Sequence, residues 1–519
     1  MLECVLTALL LFLSLLLFLT RRFGRQRREG EPPLVTSRLP FVGKAVEFGH
    51  DALKLLTQLQ HTHGDIFTVL IAGRYMTFVM DPLLYPAVVK HGRQLDFHAF
   101  TDSMAPPTFG YPPIRGVAYP GLSDRIQSSY QLLQGDALSR LSKGMMGNLL
   151  AELRHHFLCG RGVGWREAGL YDLCERLMFR ASLLTLYGTH THTHAPGGME
   201  ALRRSFAAFD RRFPLLMGGV PIWLLGRTKA TRGELIAHFH PRRMQQWNDP
   251  SDFIRTRTQL LNEYQLTDAQ HGAHHFAILW ASVGNTIPAA FWVVYHLLTH
   301  PEALAAVKSE IQEVLGIQGD GLALNDDVTL TLEDLDRMIY LESAVCESLR
   351  LSSASMNVRV CQEDFQLDLA PQCSIHLRKD DIIALYPQSM HMDPDIYPEP
   401  QVYRFDRFVS DGGRRSDFCK RGQRLRYFLM PFGSGGSKCP GRYFALAELK
   451  QLVCVLLLYC RLELAHTHPT PELDTSRAGL GILPPKRDVP VHYTLIREGG
   501  GEERGKEREG EREGEIHDN

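Results

Sequence analysis

The amino-acid sequence predicts a mainly α-helical fold with a smaller β part. Residues 125–350 read mostly as helix, and helix returns at Arg442–Leu462. Between these regions, Leu349–Pro400 is rich in strand- and loop-forming residues. The chain has 519 residues, which is long enough for one large core or several domains, and it contains no internal repeat.

Two local patterns refine this fold. Asp65–Met80 contains two β-rich runs on either side of Ala72 and Gly73, which predicts a hairpin. Ala273–Leu298 is a long apolar run that contains Pro288. Proline removes a helical hydrogen bond, so this helix should be distorted near its middle.

The N-terminus predicts a membrane anchor. Residues 1–20 are almost wholly apolar, and five arginines follow between Arg21 and Arg28. About twenty apolar residues span a bilayer as a helix. A cleaved signal peptide carries its charge before the apolar run, whereas here the charge follows it. Arginine favours the cytoplasmic side, so we expect an uncleaved anchor with the rest of the chain facing the cytosol.

These features divide the chain into four segments. Prolines follow the basic cluster and predict a stiff, extended connection, and the last segment is rich in Arg, Glu and Gly with almost nothing to bury. The expected order is a transmembrane anchor (1–20), a basic, Pro-rich linker (21–40), the main folded domain (41–496) and a disordered charged tail (497–519).

Charge and cysteine content exclude several classes of function. The formal net charge is −1, which does not indicate a nucleic-acid partner. The ten cysteines include no CxxC pair and resemble neither a disulfide framework nor a zinc site. Most of them are expected to be small core residues.

Cys439 differs from the other cysteines. It lies in Phe432–Gly441, FGSGGSKCPG, just before a predicted helix. Glycine permits close approach of another group, and the free N–H groups at a helix N-terminus favour a thiolate. A single thiolate fits an axial haem ligand better than zinc, which takes four ligands.

The order Phe432, Gly435, Cys439, Gly441 resembles the haem-binding loop of the cytochrome P-450 monooxygenases. The resemblance extends from the anchor to about Leu495. It implies the cytochrome P-450 fold and haem b, with Cys439 as the iron ligand. In this family a Glu and an Arg on one helix join a downstream Arg to form a structural triad. Here the corresponding residues are Glu347, Arg350 and Arg407.

Two departures affect the haem contacts. The family often has a basic residue two places before the cysteine, and this place is Ser437 here. The family's Trp-x-x-x-Arg helix near residue 130 is also missing. The resemblance leaves Arg359 as a candidate contact for a haem propionate.

The kinked helix lacks the family's usual acid–alcohol pair. Gly284 occupies the place of the acid, Asn285 occupies that of the threonine, and Thr286 follows. Three interpretations remain open. Asn285 and Thr286 with ordered water supply protons to dioxygen, or the enzyme rearranges a peroxide as prostacyclin synthases do, or Asn285 caps the helix break.

Longer matches resemble the sterol 7α-hydroxylase family. They include GAHHFAILWASVGNTIPAAFW (272–292), ESLRLSSASMNVR (347–359), LRKDDIIALYPQ (377–388) and SRAGLGILPP (476–485). SSASMN, RKDDIIALYPQ and SRAGLGILPP resemble cholesterol 7α-hydroxylase. More separate parts of the chain, among them PIWLLG (221–226) and SKCPGRYFAL (437–446), resemble oxysterol 7α-hydroxylase. We therefore favour an oxysterol substrate over cholesterol, with sterol 12α-hydroxylase as a more distant relative.

This resemblance implies partners and a pocket. The expected partners are a sterol, O2, NADPH supplied through NADPH-cytochrome reductase, and the endoplasmic reticulum membrane, since no flavin or dinucleotide motif is present. In the resembled family the distal pocket is bordered by the segments that hold Trp280, Ala281, Val283, Gly284, Ser355, Met356, Asn357, Leu480 and Ile482. A non-catalytic sterol- or haem-binding protein is the alternative outside enzymes, and reduction by a reductase would exclude it.

Overall fold

The computed structural model describes residues 25–37, 39, 41–158, 164–190, 198–465 and 469–496, with seven residues of the N-terminal segment. The predicted charged tail, 497–519, and most of the predicted anchor lie outside these residues. The predicted fold class is confirmed, because helices dominate and the strands form one five-stranded sheet and several smaller ones.

The helices occupy most of the chain between the N-terminal hairpin and Ser352, and one long helix follows near the C-terminus. They are α1 Ala45–His63, α2 Tyr85–Lys90, α3 Phe97–Phe109, α4 Leu122–Ser129, α5 Gly135–Leu158, α6 Leu170–Tyr187, α7 Gly198–Asp210, α8 Phe213–Met217, α9 Thr228–His238, α10 Pro241–Met244, α11 Asp252–Glu263, α12 Asp268–Val283, α13 Thr286–Thr299, α14 Pro301–Leu315, α15 Leu332–Arg337, α16 Ile339–Ser352, α17 Pro387–His391 and α18 Arg442–Tyr459.

The strands are short. They are β1 Ile66–Ile71, β2 Arg74–Val79, β3 Leu95–Asp96, β4 Arg166–Gly169, β5 Thr189–His190, β6 Trp247–Asn248, β7 Asn357–Cys361, β8 Phe365–Ala370, β9 Cys373–Leu377, β10 Ile382–Leu385, β11 Val409–Ser410, β12 Gly413–Arg414, β13 Cys419–Lys420, β14 Gln423–Arg424, β15 Cys460–Leu464 and β16 Pro490–Leu495. The five-stranded sheet has the order β1-β2-β10-β7-β3, and β10 runs parallel to β2. A second sheet has the order β15-β16-β4.

The predicted hairpin is confirmed. Strands β1 and β2 are antiparallel, and Ile71 faces Arg74 across the turn. The two turn residues, Ala72 and Gly73, have φ of 49° and 78°. Positive φ at both positions is typical of the type I′ turn that matches strand twist. A Cβ on Gly73 would lie 2.4 Å from the ring of Phe41, so glycine also permits close packing there.

The long apolar helix is interrupted, as predicted. Helix α12 ends at Val283 and α13 begins at Thr286, with Gly284 and Asn285 between them. Pro288 lies in the first turn of α13, where a missing N–H is tolerated. The Gly284 carbonyl, four residues earlier, therefore receives no helical bond from Pro288. This accounts for a break one turn before the proline.

The C-terminal end of the predicted Arg442–Leu462 helix is wrong. Helix α18 stops at Tyr459, and Cys460 begins strand β15 with extended backbone angles. Strand β15 pairs with β16 from Cys460 opposite Leu495 to Leu464 opposite Val491. Pairing with a distant strand outweighs local helix propensity here.

The seven described residues of the predicted anchor are helical, and its large apolar side chains Leu6, Leu10, Leu11, Leu15 and Phe18 are exposed. The part of the chain that the structure describes also contains one helical run long and apolar enough to cross a membrane, Asp268–Thr299, and it is mostly buried. This run is α12 and α13, the central helices of the folded core.

The described part of the predicted linker lies against the domain. Arg25 is 2.6 Å from Asp381 in an ion pair, and Arg378 is paired with Glu31, which is buried. These charges fix the pKa of Glu31 at about 2, because the hydrogen bonds from Arg378 and Arg28 outweigh the opposing effect of burial. Residues 25–31 are thus held against the turn between β9 and β10, which contains Arg378 and Asp381.

Candidate functional site

Cys439 lies in a tight loop immediately before α18. Its backbone N–H donates to the Phe432 carbonyl over 2.8 Å, which closes the loop. Gly435 has φ of 59°, and a Cβ there would lie 2.5 Å from Val89 Cγ1. Glycine at this position therefore satisfies both the backbone conformation and the packing.

The Cys439 thiol is in an environment that disfavours a free thiolate. Burial raises its pKa, while a hydrogen bond from the Gly441 backbone and the charge of Arg442 act in the opposite direction. A thiolate forms readily in such a place when a metal cation compensates its charge. Within the described residues, no group of three or more His, Cys, Asp or Glu could hold a metal ion.

Arg359 on β7 supplies positive charge beside this loop. Its Nη2 donates to Ser434 O and Oγ, both at 3.3 Å, and to Ser437 Oγ at 3.1 Å. Its Nη1 is buried and has no hydrogen-bond partner among the residues that the structure describes. Burial lowers the pKa of Arg359. A buried cation with an unused donor requires an acceptor, and a carboxylate satisfies this requirement best.

Together these residues fit a haem. Cys439 provides one soft ligand, the glycine loop permits close approach, and Arg359 provides a partner for a propionate carboxylate. Ser437 stands where the resembled family has a basic residue, and it holds the guanidinium of Arg359 instead. Of the predicted loop residues, Phe432 packs against the core and Gly441 lies against Leu133.

The helix break places Asn285 and Thr286 in different roles. Asn285 Oδ1 accepts a hydrogen bond from the backbone N–H of Ile482 at 3.0 Å, and its side chain does not cap α13. Thr286 is buried and its Oγ1 donates to Ser282 O over 2.8 Å. The half-buried Asn285 side chain is therefore better placed than Thr286 to meet a ligand.

The face of α12 that ends at this break borders open space. Ala281 is exposed, although nearly all residues between 271 and 297 are buried. Ala277, Ala281 and Asn285 are four residues apart, and all three are accessible. Val283 and Gly284, in contrast, are buried and belong to the packing of the helix. Ala277 was not among the predicted pocket residues.

The other predicted pocket residues come together on two crossing segments. Ser355 forms a β-bridge with Gly479, and Ser353 forms one with Ile482. Met356 packs against Gly479, where a Cβ would lie 2.7 Å from its Cε. Asn357 is buried and its Oδ1 accepts from Ser434 Oγ at 3.0 Å, so it supports the cysteine loop. Leu480 is half-buried between these segments.

The predicted triad residues are in contact. Glu347 accepts from Arg350 Nε at 2.7 Å and from Arg407 Nε at 2.8 Å. All three side chains are nearly inaccessible. Arg350 and Arg407 also donate to backbone carbonyls, including those of Pro400 and Pro398. This network joins α16 to the irregular segment that precedes the cysteine loop.

Comparison with known proteins decides the family. The family model "Cytochrome P450" matches residues 165–491. The chain belongs to the cytochrome P450 family. Family membership implies an enzyme with a haem iron cofactor, and the Cys439 loop is the place in this P450 whose residues fit it.

Curated relatives show which members of the family this P450 is similar to. It is 39% identical to a "Cholesterol 7-alpha-monooxygenase" of Cricetulus griseus over 91% of this chain and 95% of that protein. It is 38% identical to "Cytochrome P450 7B1" of Mus musculus over 94% and 95% of the two chains. A "7-alpha-hydroxycholest-4-en-3-one 12-alpha-hydroxylase" of Oryctolagus cuniculus is 38% identical over 91% and 94%. The predicted kinship with sterol 7α-hydroxylases is confirmed.

A solved structure supports the fold of this P450. The structure entitled "Retinoic acid bound cyanobacterial CYP120A1" aligns with a TM-score of 0.69 and covers 90% of this chain and 99% of that one. Sequence identity is 20%, so the likeness concerns the fold alone.

Three polar residues near the site of this P450 are not among the predicted site residues. Asp210 and Arg477 form an ion pair at 2.8 Å between α7 and the C-terminal loop. Glu448 on α18 is buried, and burial raises its pKa to about 8 although side-chain hydrogen bonds with Ser182 and Thr286 oppose the shift. No short motif contains these contacts, because their partners lie on distant segments of the chain.

Proposed function

We propose that this protein is a haem-thiolate monooxygenase that hydroxylates a sterol at the 7α carbon, with an oxysterol favoured over cholesterol. The observation that carries the proposal is the cysteine loop beside Arg359, whose buried Nη1 has no hydrogen-bond partner among the described residues, in a chain 39% identical to a cholesterol 7-alpha-monooxygenase. The relatives are named for the oxidation of sterols, and in this proposal the product belongs to sterol and bile acid metabolism.

In this proposal Cys439 holds the iron and Arg359 holds a propionate. Phe432, Gly435 and Gly441 shape the loop around the sulfur. When bound, haem supplies the activation of O2, with electrons from NADPH delivered through a membrane-bound reductase. The protein contributes binding, orientation and the exclusion of water.

Asn285 is the residue at the helix break to which we assign a hydrogen-bonding role in the reaction. Its Oδ1 is occupied by Ile482 N, and its amide N–H2 makes no hydrogen bond to any described residue. An amide held in this way would be able to donate a hydrogen bond to a water or to a substrate oxygen. The accessible face formed by Ala277 and Ala281 presents only methyl groups, as a flat apolar sterol requires.

The choice between oxysterol and cholesterol rests on the local sequence matches. The identities of 39% and 38% to the two kinds of relative do not separate them. The stretches that resemble oxysterol 7α-hydroxylase occupy more separate regions of the chain, and for that reason we favour an oxysterol.

We place the enzyme in the endoplasmic reticulum membrane with its catalytic domain in the cytosol. The apolar side chains of the predicted anchor support this location, and so do exposed apolar residues elsewhere. Phe41 and Val46 are exposed close to the linker, and Trp223 and Leu224 are exposed between α8 and α9. Such residues suit an apolar surface, from which a lipid-soluble substrate would also enter.

A second candidate function is isomerisation of a peroxide without NADPH. The observation that favours it is the absence of a carboxyl–hydroxyl pair at Gly284 and Asn285. A peroxide isomerase needs no external protons for O2 activation, so glycine and asparagine would suffice there.

The test is turnover by the full chain in membranes with reductase, NADPH, and cholesterol and 25-hydroxycholesterol in competition. A 7α-hydroxylated oxysterol as the main product supports the proposal, and 7α-hydroxylated cholesterol supports the alternative substrate. Hydroxylation at another carbon contradicts the proposal. Membranes that carry Cys439→Ala provide the matched control. Conversion of a lipid endoperoxide without NADPH, with no NADPH-dependent sterol product, supports the isomerase.

A further inference from the structure

The carboxylate of Asp210 joins three segments around the proposed sterol site. Asp210 is the last residue of α7, and its Oδ1 accepts from the indole Nε1–H of Trp280 at 2.8 Å. Arg477 donates to the Asp210 carboxylate twice, from Nη1 to Oδ2 at 2.8 Å and from Nη2 to Oδ1 at 3.1 Å, and its Nη1 also donates to the Asp210 backbone carbonyl at 3.0 Å. Both side chains of the ion pair are largely shielded, with 20% and 9% of their surface exposed.

Trp280 is held with its ring against the helix break. A Cβ built on Gly284 would lie 3.4 Å from Trp280 Cε2 and 3.5 Å from its Nε1. On another side, the ring of Phe213 stacks on the indole with a centroid distance of 3.9 Å and an interplanar angle of 22°. The indole therefore forms a wall at the helix break. The rings of Phe213 and Phe109 restrain it, and the hydrogen bond from its Nε1–H to Asp210 fixes its polar edge.

Arg477 connects this wall to the other border of the site. The loop that follows Arg477 is fixed by Gly479 N to Ala354 O at 2.7 Å and by Ala354 N to Gly481 O at 2.8 Å. The same loop reaches Asn285 through Ile482 N. Displacement of Asp210 would thus alter the position of the indole directly and that of the loop through Arg477.

We propose that Asp210 is a positioning residue that acts through Trp280. Held by Arg477, it fixes the plane of the indole, and this plane sets which carbon of the bound sterol is presented for oxidation. The inference rests on the proposed function and adds a determinant of its regioselectivity. Tryptophan suits the role because a large rigid face carries a polar N–H that can be anchored. Misplacement of a substrate by about 1 Å costs on the order of a hundredfold in rate, so a movable wall would spread oxidation over several carbons.

The test is a double-mutant cycle on the full chain in membranes. The variants are Asp210→Leu, Asp210→Asn, Trp280→Phe and the double variant Asp210→Leu/Trp280→Phe. Asp210→Asn retains an acceptor for the indole N–H and should keep most of the selectivity. Asp210→Leu should lower the ratio of the main hydroxylated product to all other products by about tenfold, the effect of losing a buried hydrogen bond. In the Trp280→Phe background, which lacks the indole N–H, the same substitution should change the ratio much less, and the remaining effect is the part that acts through Arg477.

Hydrogen exchange of the substrate-free haem protein gives a readout independent of turnover. Asp210→Leu should speed exchange of peptides that cover residues 275–284 and 474–483. Glu472→Gln is the matched control, because it breaks an exposed ion pair of 2.7 Å with Lys486 in the same C-terminal segment. This control should alter neither the product ratio nor exchange around Trp280.

The outcomes separate the inference from the proposed function. An equal effect of Asp210→Leu in both backgrounds, or unchanged exchange around Trp280, overturns the role of Asp210 even if the 7α product forms. If the wild-type protein oxidises the sterol at a different carbon, the proposed function is overturned. The role of Asp210 is then tested by the ratio of that product to all others in the same four variants. The absence of any oxidised sterol from every variant overturns both.

Discussion

Asn285 and Ile482 are joined by a hydrogen bond in which the Ile482 backbone N–H donates to Asn285 Oδ1 over 3.0 Å. A Cβ on the neighbouring Gly481 would lie 2.1 Å from that oxygen, so glycine at 481, with φ of 126°, permits the contact. The bond orients the asparagine amide with its acceptor occupied and its donors available. This arrangement distinguishes Asn285 from a helix cap and supports a role in donating to a ligand.

Substitutions at Asn285 should therefore affect turnover more than haem binding. Asn285→Ala removes both the contact with Ile482 and the amide donors, and product formed per haem should fall by about tenfold or more. Asn285→Asp keeps an acceptor for Ile482 but loses the amide N–H2, so it separates the two contributions. Haem content is measured from the carbon monoxide spectrum. Unchanged turnover per haem in Asn285→Ala would remove this residue from the mechanism.

Cys439→Ala should abolish the thiolate–haem spectrum. No other residue in the loop offers a soft ligand, and alanine leaves the iron without its protein donor. The reduced, carbon monoxide-bound Soret band of the variant is compared with that of wild type. Cys419→Ala removes an exposed thiol and should leave the band unchanged. A wild-type Soret position in Cys439→Ala would contradict the ligand assignment.

Glu347→Gln should destabilise the fold strongly. Glu347 is inaccessible and accepts from both Arg350 and Arg407, so the substitution leaves two buried cations without a counter-charge. Loss of one partner from a buried ion pair costs about 3–5 kcal/mol. Thermal unfolding and haem retention report the effect. Asp336→Asn, which breaks the exposed pair with Arg414, is the control and should change the midpoint little.

Local patterns were sufficient for the parts of this fold that depend on neighbouring residues. The hairpin turn at Ala72 and Gly73 and the break before Pro288 both follow from backbone preferences over a few residues. Cys439 could be found because its glycine loop is continuous in sequence. The end of α18 could not be predicted in this way, because Cys460 begins a strand that pairs with the distant strand containing Leu495.

The polar contacts around the site could not be predicted for the same reason. The segment of Trp280 predicts it as a pocket residue. Its partner Asp210, however, lies 70 residues before it, and Arg477 lies 267 residues after Asp210. Aspartate at a helix end is ordinarily a solvated residue. Only the fold, which brings α7, α12 and the C-terminal loop together, gives it a structural role.

Glu448 is buried on α18, and its environment makes stability depend on pH. Ser182 Oγ donates to Glu448 Oε2 at 3.0 Å, and burial raises the pKa of Glu448 from 4.5 to about 8. A protonated carboxyl can accept from Ser182 and donate to Thr286 at once, so the neutral form fits this pocket.

The sign of the effect follows from proton binding. Between pH 4.5 and about 8 the folded state retains a proton that the unfolded state has lost, so stability falls as pH rises through this window. The slope for one such group is on the order of 1 kcal/mol per pH unit. Glu448→Gln preserves the hydrogen-bonding shape of the neutral carboxyl but cannot titrate. Thermal unfolding midpoints of wild type and Glu448→Gln are measured from pH 5 to pH 8. As pH rises, the midpoint of wild type should fall steadily relative to that of the variant. A constant difference across the range would show that Glu448 is ionised in the folded protein.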